Sequence, residues 1–148
     1  QVDSVICALD SLNYVTRPAD VQKTFRRVHD ALTPGGLFLF DINTPYKLEG
    51  LAGQTFLDET EDTYCVWRTE FDPKKRLCYY GMDLFQRDGE VWERSFEEHI
   101  EYAYTAEELT GWLREAGFTK IDVFGDRKCR APKEDELRVY FAARKETT

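Results

Sequence analysis

The sequence predicts an α/β fold in which a short parallel sheet with flanking helices receives an inserted antiparallel β-meander, and three observations carry that prediction. Leu32 to Thr44 (LTPGGLFLFDINT) reads as a helix end, a tight turn, a buried strand and a polar tip. Val2 to Leu9 (VDSVICAL) reads as a second buried strand centred on Val5, Ile6 and Cys7. After Gly53 the apolar spacing switches to two and holds as far as Tyr104. Strand, helix, turn, strand is a βαβ unit with a right-handed crossover, so the two strands run parallel. Their polar tips, Asp10 to Tyr14 (DSLNY) and Asp41 to Thr44 (DINT), then share one edge of the sheet. Open α/β sheets bind ligands at that edge.

Taken in order, the helix between the strands opens near Thr16, places Pro18 and Asp20 in its first turn, and aligns Val21, Phe25, Val28 and Leu32 on one face. His29 falls near its end, where positive charge suits the helix dipole. Pro34, Gly35 and Gly36 cannot continue a helix, and the apolar run Leu37 to Phe40 suits a strand covered on both faces. Tyr46 to Gly53 is a short transition with room for one helical turn. Tyr64 to Phe71, Leu77 to Gln86 and Val91 to Tyr104 form the meander, with Thr55 to Asp58 as a candidate fourth strand and Asp88-Gly89 as a hairpin signal. Thr105 and Glu108 make a capping box for a helix that stops at Gly117. Phe118 to Phe124 and Leu137 to Ala143 are the closing strands, joined by a polar loop.

On the last meander strand, Trp92, Arg94, Phe96, Glu98, Ile100, Tyr102 and Tyr104 share one face. Glu93, Ser95, Glu97, His99 and Glu101 share the other, which reads as solvent-facing. Arg94 and Glu98 are charges on the apolar face: they pair or snorkel to the rim, or they line a pocket between meander and sheet and orient a polar substrate.

A chain of 148 residues with 42% hydrophobic and 32% charged content describes one folded domain. Its net charge of -8 argues against a nucleic-acid partner, since phosphate binding needs a basic face. No apolar segment is long enough for a bilayer and no signal pattern opens the chain, so cytoplasmic is the default. Cys7, Cys65, Cys78 and Cys129 are scattered, without the spacing of a metal site or a disulfide framework.

The stretches VDSVICALDSLNYV, HDALTPGGLFLFDINTP, YTAEELTGWLREAGFTKIDVFGD and ELRVYFAARK, in that order, resemble the second half of a class I S-adenosylmethionine-dependent methyltransferase, within a bacterial small-molecule branch. The resemblance implies a partial Rossmann-like sheet, strands four to seven of the family with the last antiparallel. Residues 1–45 and 105–148 would form the C-terminal half of the core, and 46–104 an inserted lid over the substrate. It implies S-adenosylmethionine as cofactor and a small-molecule methyl acceptor as partner. Asp10, Ser11, Asn13 and Tyr14 would lie near the methionine end of the cofactor. Asp41, Asn43 and Tyr46 would face the substrate, with Arg94 and Glu98 as further substrate contacts. Asp10 and Asp41 are the candidate catalytic carboxylates, able to accept a proton or favour a sulfonium; read without the family, they are strand-end turn residues.

The family's glycine-rich cofactor turn is absent, because Gly35 and Gly36 precede a strand and do not follow one. The resemblance therefore implies a chain cut before the fourth strand, inactive alone, with an incomplete cofactor site. Val2 to Leu9 would then be an exposed edge through which the chain dimerises or swaps, unless a further segment covers it. The alternative is a non-catalytic module that binds a small ligand or dimerises without a methyl donor; strand addition to a protein partner is weaker still.

Overall fold

The computed structural model describes residues 1–147. They form two four-stranded sheets, one ordered β1-β2-β8-β7 and the other β3-β4-β5-β6. In the first, β1 (Val2–Cys7) lies at an edge and runs parallel to β2 (Leu32–Asn43). β8 (Arg138–Lys145) runs antiparallel between β2 and β7 (Phe118–Gly125).

α1 (Pro18–Ala31) begins two residues later than the pattern suggests, with Pro18 in its first turn and Asp20 taking bonds from Arg17 at 2.6 Å and Lys23 at 3.1 Å. It ends before Leu32, which pairs with Val2 as the first residue of β2 and does not close the helix. The register then moves from Leu32 to Leu37 while β1 advances only from Val2 to Ser4, so the expected turn survives as a bulge within the strand. Gly35 sits there at φ 77°, and a Cβ on Gly36 would meet the Thr33 carbonyl at 2.8 Å. The Lys145 ammonium closes the helix end, donating to the carbonyls of His29 at 2.7 Å and Leu32 at 2.8 Å.

α1 and α3 (Ala106–Glu115) cover one face of this sheet. Val21, Phe25, Leu109 and Leu113 pack there with Phe38, Phe40 and Phe141, all buried. The Thr105/Glu108 capping box is present, and Glu108 also holds Arg76 at 2.7 and 2.8 Å, tying α3 to the meander.

The second sheet is the meander, and Thr55–Glu59 does join it, as β3 beside β4 (Thr63–Asp72). β5 (Leu77–Asp88) and β6 (Val91–Tyr102) follow, with Asp88 paired to Val91 so that Gly89 and Glu90 are the turn. The short helix α2 (Pro45–Gly50), capped by Thr44, leads into this sheet. Leu48, Cys78, Tyr80 and Ala103 make its buried cluster.

Over its first eight residues β6 is exposed on both faces, so Glu93, Ser95 and Glu97 face solvent as expected but the expected apolar face is not buried, and towards the strand's end the faces are reversed. Trp92 and Phe96 are 47% and 58% exposed, whereas Glu101 is 3% exposed. Cys78 and Tyr80, directly across from Glu101 and His99, turn inward, and cross-strand partners share a face. Only at the strand's end do Tyr102 and Tyr104 reach the main core. All four cysteines are free thiols. Among the described residues no group of side chains could hold a metal, and no helix is long and apolar enough to cross a membrane.

Candidate active site

The two polar tips meet. Asp41, 4% exposed at the end of β2, reaches under the β1 tip and accepts the backbone N–H of Leu9 at 2.8 Å and of Asp10 at 3.0 Å. Leu9 and Asp10 both have positive φ, 60° and 50°, a strained conformation for residues with side chains, and these two bonds help to pin it. Arg138 on β8 completes the arrangement, donating to Asp41 and, at 2.6 Å, to Asp10. Both oxygens of Asp41 are thus committed to holding the loop, while Asp10 is engaged through Oδ1. The guanidinium's own pKa is moved in opposite directions by burial, which lowers it, and by the two carboxylates, which raise it; the net is upward.

Asn13 is fully buried and joins the tips to the meander. Its Oδ1 accepts the Asn43 N–H, and its Nδ2 donates to the Asn43 and Tyr102 carbonyls, each at 3.0 Å. Asn43 passes the connection on. Its Nδ2 donates to Glu101 Oε2 at 2.8 Å, and its Oδ1 accepts from the Lys47 ammonium at 2.8 Å. Burial pushes the Glu101 carboxyl upward, the bond from Asn43 opposes this, and the charge of Asp10 adds to it. Burial, followed by the charges of Glu101 and Asp10, likewise raises the Tyr14 phenol. Asp10, Glu101 and Tyr14 therefore share one negative local field.

Tyr14 leans on the meander, its ring edge-on to His99 at 5.8 Å. Beside them opens a cavity of about 360 Å³ lined by Tyr14, Trp67, Tyr80, Met82, Glu97 and His99. Ser11 makes a local turn, its hydroxyl donating to the Ala8 carbonyl at 2.7 Å.

The candidates from sequence divide accordingly. Asp10, Ser11, Asn13, Tyr14, Asp41 and Asn43 come together. Tyr46, 55% exposed, borders two other cavities around α2. Arg94 and Glu98 lie on the meander's outer face: Arg94 donates to Asp83 at 2.8 Å beside Arg68, and Glu98 stands opposite Gly81 and is exposed. They do not pair with each other, and neither lines the cavity beside Tyr14. Seven positions separate Arg94 from Glu101 along β6, about 23 Å at the rise of an extended strand. Sequence reasoning missed Glu101, His99, Tyr80, Lys47 and Arg138. The one available signal was a Glu inside the aromatic run Ile100 to Tyr104.

The lining of the cavity beside Tyr14 suits a cationic sulfonium, since it combines aromatic rings with one carboxylate, Glu97, and holds no Lys or Arg. No protein-family model matches the chain. It is 32% identical over 149 residues to a curated relative named "Putative methyltransferase YqeM" from Bacillus subtilis (strain 168), covering all of this chain and 60% of that one. A crystal structure of an S-adenosylmethionine-dependent methyltransferase from Clostridium acetobutylicum superposes with a TM-score of 0.88 at 30% identity, over 97% of this chain and 58% of that one. S-adenosylmethionine-bound CalS10, an amino pentose methyltransferase from Micromonospora echinaspora, matches in fold with a TM-score of 0.75 at 17% identity, over 97% of this chain and 58% of that one. Sequence and fold agree with the resemblance: the chain is similar in both to S-adenosylmethionine-dependent methyltransferases of class I. It spans about 60% of the length of the curated relatives it matches.

Proposed function

We propose that these residues form the C-terminal half of a site for S-adenosylmethionine-dependent methyl transfer to a small molecule, with the glycine-rich cofactor contacts supplied from outside this chain. The carrying observation is the convergence of the loop Asp10 to Tyr14, the β2 tip Asp41 to Asn43 and the inner face of β6 on one point. Partial Rossmann organisation, a core formed by residues 1–45 and 105–148, and a lid formed by 46–104 belong to the same proposal.

Bound there, the cofactor supplies a methyl group activated on a sulfonium. The chain's own residues bind and orient. Asp10, Ser11, Asn13 and Tyr14 are the cofactor side, with Asp10 offering negative charge. Asp41 positions this loop through the Leu9 and Asp10 amides, a task that uses both its oxygens. Asn43 and Glu101 stand behind the acceptor side, and the aromatic inner face of the meander excludes water from it; Tyr46 borders the separate cavities around α2. Arg94 and Glu98, on the outer face, take no part.

An amide NMR spectrum of the chain extended upstream in its gene, recorded with and without S-adenosylhomocysteine, tests the assignment. Shifts concentrated in residues 9–14 and 41–43 are expected. A saturable response confined to other residues would contradict it.

A further inference from the structure

The cavity beside Tyr14 has a chemistry that the methyl-transfer reading does not specify. Three of its six lining residues are aromatic, Tyr14, Trp67 and Tyr80, and none is Lys or Arg. Trp67 is fixed as a wall: it stacks on Phe56 at 4.3 Å between ring centroids, and its indole N–H donates to Asp58 at 3.1 Å. Tyr80, 9% exposed, stands across the sheet from His99, and its ring lies 6.1 Å from that of Trp67. Burial, and then the charge of Glu101, push the Tyr80 phenol far upward, so it remains a neutral ring. Glu97 stands at the mouth, its carboxylate 3.2 Å from His99 Nε2.

An aromatic face attracts a cation through its quadrupole, and the attraction grows as water is removed. A carboxylate at the mouth favours the same charge and disfavours an anion. The net charge of -8 extends that preference to the approach. A neutral apolar ligand would gain from the rings but nothing from Glu97. A phosphate or carboxylate would meet the like charge of Glu97 and no Lys or Arg.

We propose that the cleft of Tyr14, Trp67, Tyr80, Met82, Glu97 and His99 is a binding site for a small organic amine held as its ammonium ion. Resting on the methyl-transfer reading, the inference identifies that amine as the methyl acceptor: the bound ammonium first gives up a proton to solvent, and its nitrogen lone pair then forms the N–C bond to the methyl group as the S–C bond of the sulfonium breaks, leaving S-adenosylhomocysteine.

The test uses the 148-residue chain with two probes of one shape, benzylamine and benzyl alcohol, at pH 7. Binding is followed by the side-chain NMR signals of Trp67 and His99. Benzylamine is expected to shift both signals saturably and to bind at least tenfold more tightly than the alcohol. Glu97→Gln, at an exposed position where folding is not at stake, is expected to weaken benzylamine at least threefold and leave the alcohol unchanged. Equal binding of the two probes, no response at Trp67, or an unchanged Glu97→Gln variant would each overturn the proposal. The readout needs no methyl donor. Failure of the extended chain to bind S-adenosylhomocysteine, with amine selectivity intact, would overturn only the acceptor assignment.

Discussion

Asn13 and Tyr102 meet as though they were neighbours in a sheet. The Tyr102 N–H donates to the Asn13 carbonyl at 2.8 Å, and Asn13 Nδ2 donates to the Tyr102 carbonyl at 3.0 Å. A loop residue at the tip of β1 thereby borrows the last residue of β6, and the meander is fixed over the tips of the first sheet.

Asn13→Asp therefore tests the joint. It replaces a donor with an oxygen facing the Asn43 and Tyr102 carbonyls, in a site with no access to water. A loss of about 3 kcal/mol is expected from the unsatisfied and repelling groups. Urea unfolding should show a lower midpoint with little change in slope.

Arg138→Met should act on the loop more than on the core. It strips the ion pairs from Asp10 and Asp41 and leaves the latter nearly buried. The expected loss is about 2 to 3 kcal/mol, below the full cost for a wholly buried pair because Arg138 retains some exposure. Hydrogen exchange at the amides of Leu9 and Asp10, both bonded to Asp41, should accelerate beyond the global change.

Glu101→Gln should change the pH dependence of stability. The folded-state pKa of Glu101 is raised by burial, so its contribution is fully present below the ordinary value of 4.5 and is lost as pH rises through the folded value. Gln keeps an acceptor for Asn43 and cannot ionise. The variant should gain on the wild type progressively from pH 4.5 upward. Parallel stability curves across that range would contradict the assignment.

The edge strand makes a further prediction. Ile6 on β1 and Leu9 in the turn after it are 69% and 78% exposed, and an apolar groove of about 280 Å³ runs beside Ile6 between Leu39, Phe124 and Ala142. Unpaired strand edges of this kind join other chains, and we propose a homodimer through β1. Sedimentation should find concentration-dependent association that Ile6→Lys abolishes. A wild-type monomer at all concentrations would contradict it.

The elements that set their own periodicity were legible in the sequence. Phe25 and Val21 on α1, the capping box at Thr105, and the alternation of β4 and β5 follow from local spacing. Leu32 was misread because its burial satisfies a helix stripe and a strand equally well, and only pairing with Val2 decides between them. β6 was misread because Trp92 and Phe96 look like core residues, while the inward face is dictated by Cys78 and Tyr80 on the neighbouring strand.

The site was half legible for the same reason. Asp10, Asn13, Asp41 and Asn43 stand at strand ends, where topology alone brings them together. Glu101 and Arg138 come from strands 58 and 97 residues away from their partners, and no local pattern marks them. Arg94 was the reverse case, a charge in an apolar alternation whose partner, Asp83, lies across the strand pair on the outer face.

The most direct measurement is titration calorimetry of S-adenosylhomocysteine into the 148-residue chain and into a version extended upstream. Binding to the extended form, and none or far weaker binding to the shorter one, is the predicted result. Binding to neither would contradict the methyl-donor site and leave a non-catalytic ligand-binding module as the better account.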